Sequence, residues 1–357
     1  MTDAYVNRIG TAVPANDVHE TFVAFAESLI TTNRERALFR RMVERGQIDH
    51  RWSALTPNPR PRPGASVDDA GFYTPGAFPS TGDRMKTYET HAPALTLDAV
   101  AALELDAADV AAVSHLVVIT CTGFMAPGLD LMLVDKLGLR PDVERTVVGF
   151  MGCYAAMNGL KLARHIVRSE PSAKVLVVSV ELCTLHLQET GSLEQILSFL
   201  VFGDGAAAAL VSAEPVGMAL DRFETVLVSE DPELITWTIR DQGFDMVLSG
   251  KVPGALRGAL EGRRQALFQA ADGEPVSLFA IHPGGRSVLD AVEAALQLPA
   301  QALSASREVL RAFGNMSSAT ILFVLDRLMR RGDAGKGMAM AFGPGLTAET
   351  LAFTLKA

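Results

Sequence analysis

The chain has 357 residues, 48% hydrophobic and 20% charged, with a net charge of −9. That length calls for two domains or one large layered fold, and the acidic balance argues against general nucleic-acid binding. Cys121, Cys153 and Cys183 lie far apart without a C-x-x-C pair, which excludes a disulfide framework and the usual zinc spacings.

The start, Met1-Thr2-Asp3-Ala4-Tyr5, lacks the basic and apolar blocks of a signal peptide. No run approaches the roughly 18 apolar residues of a membrane span. A soluble protein of the reducing cytoplasm is expected. Residues 4–13 carry a short strand pattern, and 21–30 and 34–45 two helical patches. The second patch holds Arg34, Arg36, Arg40, Arg41 and Arg45 against Glu35 and Glu44. It is either a site for a polyanionic ligand group or a solvated face laced with i,i+4 pairs.

Residues 53–85 are proline-rich, from Pro57, Pro59, Pro61 and Pro63 to Pro75 and Pro79. Fixed φ angles and missing donors predict an irregular surface excursion there. A helical pattern resumes over 87–105. Strand and helix signals then alternate: a strand at 116–121, a turn at 122–128, a helix at 130–137, a strand at 146–150 running into Cys153, and a helix with Met157, Leu160, Ala163 and Val167 at three- and four-residue steps. Strands at 174–180 and 203–211 complete this half.

After 213 the pattern restarts. Strands are expected at 220–228, 276–281, 338–342 and 350–355, with helices at 253–270, 285–297, 301–311 and 317–331. Strands with helical crossovers predict an α/β core around a largely buried sheet. Two halves of similar make-up, 1–213 and 214–357, follow without a repeat in residue identity.

Three residues stand where α/β proteins place ligands, at strand ends or helix starts. Cys153 at its strand–helix junction faces unpaired N–H groups and a positive dipole end, which favour the reactive thiolate. A buried structural cysteine is the competing reading. His282 ends the strand 276–281 beside Gly284 and Gly285, or is an ordinary loop histidine. Asn315 precedes a helix beginning near Ser317, where a plain N-cap is the alternative. Together the three suit acyl chemistry: a thiolate nucleophile, an imidazolium that keeps it ionised, and donors for an oxyanion.

The chain resembles the type III polyketide synthases, the chalcone synthase-like members of the thiolase superfamily, over nearly its whole length. The shared pieces are Gly152-Cys153, Phe202-Gly203-Asp204-Gly205-Ala206-Ala207, Ala280-Ile281-His282-Pro283-Gly284-Gly285, Gly314-Asn315-Met316-Ser317-Ser318-Ala319 and Phe342-Gly343-Pro344-Gly345 through Thr350, in the family's order. β-Ketoacyl-ACP synthase III is similar in its Cys-His-Asn triad. It typically carries His-Gln-Ala-Asn where this chain has His282-Pro283-Gly284-Gly285, and lacks the Phe-Gly-Pro-Gly signature.

The resemblance implies a thiolase-like α/β fold, with two similar halves in a five-layer α-β-α-β-α core. It implies that Cys153 takes a starter acyl group from CoA and pairs with His282. His282 and Asn315 would polarise malonyl-CoA for loss of CO2, and the enolate would attack the Cys153 thioester in a Claisen condensation. Neither step needs a metal or a cofactor, because acyl-CoA and malonyl-CoA are substrates.

Phe202 matches a gatekeeping phenylalanine, and Met246 the second gatekeeper, with Phe244 as an alternative. Arg41 and Arg45 align with CoA-phosphate contacts. A third basic position falls on Leu38, where Arg36 or Arg40 would have to substitute. Thr122, Ala126, Cys183, Leu185, His186, Ser198, Trp237, Ser317 and Pro344 are the expected cavity residues. Trp237 and Ser198 fill the cavity relative to plant enzymes and Ala126 relieves it, while His186 either steers cyclisation or is a packed histidine. The expected product is an alkylresorcinol or alkylpyrone from a fatty acyl starter. Malonyl-only synthesis of a tetrahydroxynaphthalene or phloroglucinol type, a single-condensation enzyme and a non-catalytic binder are the alternatives. Family members are usually homodimers.

Overall fold

The computed structural model describes residues 2–59, 64–228, 231–269 and 275–356. Strand β1 (Tyr5–Ala12) is followed by β2 (Asn16–Asp17), helices α1 (His19–Ser28) and α2 (Asn33–Gly46), and β3 (Trp52–Ser53). Next come α3 (Thr81–Ala101), α4 (Ala107–Ala112), β4 (Val113–Thr120), α5 (Leu129–Leu137), β5 (Glu144–Gly149), α6 (Ala155–Ser169), β6 (Lys174–Leu182), α7 (Leu193–Phe199) and β7 (Asp204–Ser212). The remainder is β8 (Met218–Leu227), β9 (Ile235–Arg240), β10 (Gly243–Leu248), α8 (Val252–Gln269), β11 (Val276–Ile281), α9 (Arg286–Leu296), α10 (Ser304–Phe313), α11 (Thr320–Arg331), β12 (Gly335–Gly343) and β13 (Thr347–Leu355).

Among the described residues one large sheet has the order β11-β12-β13-β8-β1-β7-β6-β4-β5. The outer strands on each side repeat one topology. β1 is antiparallel to β7, β7 antiparallel to β6, and β6 parallel to β4. Likewise β8 is antiparallel to β13, β13 antiparallel to β12, and β12 parallel to β11. The likeness lies in strand order and direction. Only a short β1–β8 pairing, Tyr5 with Ala219 and Val6 with Met218, joins the two sides.

Strand alternation sorts the side chains into layers. Val117, Ile119, Val175, Val177, Ala339 and Ala341 pack with Met157, Leu160 and Ala163 of α6 and with Ile321, Leu322 and Leu325 of α11. Leu116, Val118, Leu176, Val178, Met338 and Met340 point the other way, into a core with Ala92, Leu95 and Ala99 of α3, Leu256 and Leu260 of α8, and Val288, Leu289 and Val292 of α9. Helices α6 and α11 thus form the middle layer between two sheet layers, with helices outside each. This is the thiolase-like arrangement.

Several boundaries differ from the sequence reading. Helix α3 begins six residues before its expected start, because Ser80 accepts a hydrogen bond from Asp83 N and caps it. The proline-rich stretch is partly core: Val67 and Tyr73 are fully buried, and Tyr73 Oη donates to Thr184 O at 2.7 Å. Residues 60–63 of that stretch, including Pro61 and Pro63, and Ala270 at the expected end of the 253–270 helix lie outside the described residues. The hairpin β9–β10 is not among the expected strands, although Ile235–Arg240 alternates apolar and polar residues, and it carries Trp237 and Met246.

Candidate active site

The β5–α6 junction is built around backbone conformations that few residues adopt. Phe150 has φ 58° and Gly152 φ 78°, both in the left-handed region. A Cβ on Gly152 would lie 2.3 Å from Pro344 Cδ, so this position admits only glycine. Gly152 N donates to Cys121 Sγ at 3.0 Å. Cys153 follows at once, two residues before α6 begins.

Cys153 is buried, and burial pushes its thiol up to about 11 against opposing hydrogen bonds with the Ser317 and Asn315 side chains. Asn315 Oδ1 accepts from Ser317 N at 2.9 Å, and its Nδ2 lies 3.5 Å from Gly284 O. Asn315 therefore acts partly as the turn cap that its place before a helix suggested. It also spans from the nucleophile elbow to the loop of His282.

His282 is buried at the end of β11, its N–H bonded to Met340 O at 2.8 Å. Neither ring nitrogen has a hydrogen-bond partner, and burial lowers its pKa to about 3. Burial thus acts against both charges of the expected Cys153–His282 ion pair, raising the thiol and lowering the imidazole, so their mutual attraction would have to offset two desolvation penalties.

Phe202 is clamped beside Asn315. Asn315 N donates to Val201 O at 2.7 Å and Gly203 N to Asn315 O at 3.0 Å. Phe202 shares an inner chamber with Cys153, Thr122, Cys183, Trp237, Met246, Ser317 and Pro344. About 20 Å³ of free space remains there, room for about one water. Trp237 Nε1 donates to Cys121 O at 2.9 Å and its ring meets His186 edge-on at 5.3 Å.

His186 stacks on Phe244 at 4.2 Å. Its Nε2 lies 2.7 Å from Thr122 O, and its Nδ1 accepts from Phe244 N at 3.1 Å. Both nitrogens are spent on backbone, as in a packed histidine, and burial lowers its pKa to about 3. Phe244 belongs to this aromatic wall, and Met246 and Trp237 are the hairpin residues that line the chamber.

Three further expected cavity residues lie outside the inner chamber. Ala126 is exposed, in an outer cleft of about 410 Å³ with Tyr88, Phe124, Leu131 and Val147, because the turn after β4 carries it away from Cys153. Leu185 is buried in the core and offers its carbonyl to Arg84. Ser198 lines a second cavity, of about 680 Å³, with Leu200 and Val201 just before Phe202. That cavity holds Arg45, Arg286, Met42, Val201 and Leu248 in its walls, and Arg41 lies one helical turn before Arg45. Arg40 reaches Glu27 at 2.6 Å and Arg36 bonds Ile30 O.

The family pattern for chalcone and stilbene synthases matches in both parts, the N-terminal domain over residues 2–215 and the C-terminal domain over 222–355. The chain belongs to this family, the type III polyketide synthases. Among curated relatives, the synthase is 32% identical to the alpha-pyrone synthesis polyketide synthase-like Pks18 of Mycobacterium tuberculosis, covering 99% of this chain and 92% of that one. It is also 32% identical to bisdemethoxycurcumin synthase of Oryza sativa subsp. japonica, covering 98% and 91%. The type III domain of Steely1, a type I/III hybrid from Dictyostelium, shares the fold at TM-score 0.86 and 24% identity, over 99% of this chain and 100% of that one. PKS-I of the brown alga Ectocarpus siliculosus gives 0.86 at 25%, over 100% and 99%.

The sequence reading of this synthase missed two buried groups. Glu181 closes β6 with no exposure, accepting from Cys121 N at 2.9 Å, Thr122 Oγ1 at 2.8 Å and Ser318 Oγ. Burial raises its pKa to about 7. A carboxylate ending an apolar strand was a visible signal. Arg51, fully buried, donates Nη1 to Phe202 O at 3.1 Å and so fixes the gatekeeper's backbone. Nothing in its local sequence marks that contact.

Proposed function

We propose that this type III polyketide synthase loads an acyl-CoA starter on Cys153, extends it with malonyl-CoA and closes the chain to an alkylpyrone or alkylresorcinol. The observation that carries this reading is the linkage of Cys153 to Asn315 and of Asn315 to the His282 loop, with both ring nitrogens of His282 free. Support for the product class comes from the alpha-pyrone synthesis in the name of the Pks18 relative.

In this reading the CoA phosphates meet Arg41 and Arg45, and the pantetheine arm runs through the 680 Å³ cavity past Phe202. Cys153 gives its proton to His282, and the thiolate attacks the starter thioester, expelling CoA. Malonyl-CoA then places its thioester carbonyl oxygen toward His282 and Asn315. Its carboxylate is desolvated near the Phe202 ring, and the C–C bond to it breaks, releasing CO2 and leaving the electron pair in the enolate. The enolate, held by these donors, attacks the Cys153 thioester and releases the thiolate for the next cycle. No cofactor or metal enters these steps.

The closed chamber favours a second reading, malonyl-only synthesis, because an aliphatic starter requires Met246 to move. Methionine has the rotatable bonds to do so. Incubation with malonyl-CoA and a panel of starters, read as product masses, separates the two. Starter-dependent pyrone or resorcinol masses support the first, and products from malonyl-CoA alone overturn it. A single-condensation product would place the enzyme with the β-ketoacyl-ACP synthase III type. Residues 1–213 would carry the nucleophile and the basic helix, and 214–357 the histidine and asparagine. A cytoplasmic homodimer completes the proposal, supported by the exposed Val147, Leu131 and Met151 near the open edge of β5.

A further inference from the structure

His115 and Glu144 are register partners in the parallel β4–β5 pair. Their side chains share a cleft of about 350 Å³ with Glu170, the C-cap of α6. One ligand atom from each of His115, Glu144 and Glu170 lies within 4.8 Å of the others. The His115 side chain is only 8% exposed, and its Nε2 lies 3.6 Å from Glu144 Oε2, beyond hydrogen-bond reach. Two ligands of a tetrahedral ion, each about 2.1 Å from it, stand about 3.4 Å apart.

The histidine is also oriented for ligation. Its Nδ1 lies 2.9 Å from Ser114 Oγ. That hydroxyl accepts from Lys174 N at 3.2 Å and lies 3.3 Å from Lys174 O. With the hydroxyl proton on Lys174 O, Ser114 accepts from Nδ1–H. Nε2 is then left as a bare lone pair aimed into the cleft, the fixed tautomer that an outer hydrogen bond gives a metal-binding histidine.

The geometry points to a divalent transition-metal site made by His115 Nε2, Glu144 and Glu170, with Zn2+ as its ligand. One imidazole and two carboxylates form a borderline nitrogen–oxygen set that suits zinc, with water in the fourth position. Glu144 is 74% exposed and Glu170 is exposed, so both turn to close the set around an ion arriving from solvent. The cleft lies on the α6 side of β5, opposite Val147 by strand alternation.

The role is structural. The ion would join β4, the start of β5 and the end of α6, so it closes the base of the unit whose other end is the Cys153 elbow. Glu144 and Gly149 bound a six-residue strand, which puts the site roughly 17 Å from the elbow.

The test uses the full chain after EDTA treatment and dialysis. Calorimetric titration with Zn2+ should show one ion per chain and an upward shift in Tm. Glu144→Gln and Glu170→Gln, both exposed and shape-conserving, should each weaken binding at least tenfold and abolish the Tm shift. Co2+ in place of zinc should give d–d absorption without a thiolate charge-transfer band. Wild-type affinity in the double variant Glu144→Gln/Glu170→Gln, a thiolate band that assigns binding to the cysteines, or no saturable binding at 100 µM-scale zinc would each overturn the site.

Discussion

At Cys153 two local influences oppose each other. The helix start favours a thiolate, whereas burial pushes the thiol up to about 11. Desolvation opposes the thiolate, so a base able to take the proton would favour its formation. His282 is the buried candidate, with both nitrogens unpartnered. Replacing it with Ala should slow iodoacetamide alkylation of Cys153 at neutral pH at least tenfold. Equal rates in the two proteins would show that His282 does not share the proton. Alkylation that inactivates through Cys183 would contradict the choice of nucleophile itself.

Glu181 gives a second test at this scale. Its pKa rises from 4.5 to about 7 on folding. A raised carboxyl stabilises the native state fully below its unfolded value and loses that contribution as pH rises through the folded one. The shift corresponds to about 3 kcal/mol. Denaturant unfolding of Glu181→Gln should therefore gain on wild type by about that amount between pH 4.5 and 7.5. A constant difference across this window would mean that Glu181 is already ionised in the folded protein.

At the level of elements, the β5–elbow–α6 unit and the β9–β10 hairpin meet around the chamber. Gly152→Ala should cost several kcal/mol, because it combines a left-handed φ with a clash on Pro344; activity should fall with it. Trp237→Ala should lower stability by less than a fully buried tryptophan would, because Trp237 is partly buried, and open the chamber, shifting products to longer or bulkier ones by mass. An unchanged profile would show that Trp237 does not bound the growing chain. The elbow was legible in the sequence because Gly152-Cys153 and the periodic α6 lie in one stretch. The hairpin carried a signal that went unused, since Ile235–Arg240 alternates apolar and polar residues; its place over the chamber depends on packing against His186 and Phe124. Ala126 and Ser198 line clefts other than the inner chamber: a family position tells which loop a residue is on, and the turn decides which cavity it faces.

Across the whole molecule, the strand–helix alternation and the restart after 213 foretold a layered α/β core. The symmetry became visible only as strand order and direction, since the two sides share no repeat in residue identity. Motif order brought Cys153, His282 and Asn315 to attention, but their linkage through Asn315 needed the tertiary fold. The open edge of β5, with Val147 half exposed, supports a homodimer. Light scattering should give twice the chain mass for wild type and a single chain for Val147→Arg; a monomeric wild type would remove the dimer from the proposal.

The central claim is covalent loading of the starter on Cys153. Intact-protein and peptide mass spectrometry after incubation with a fatty acyl-CoA measures it directly. The expected result is one acyl group per chain on the Cys153 peptide, absent in Cys153→Ala and released as product when malonyl-CoA is added. An acyl group on Cys183 or Cys121, or undiminished acylation and turnover in Cys153→Ala, would contradict it.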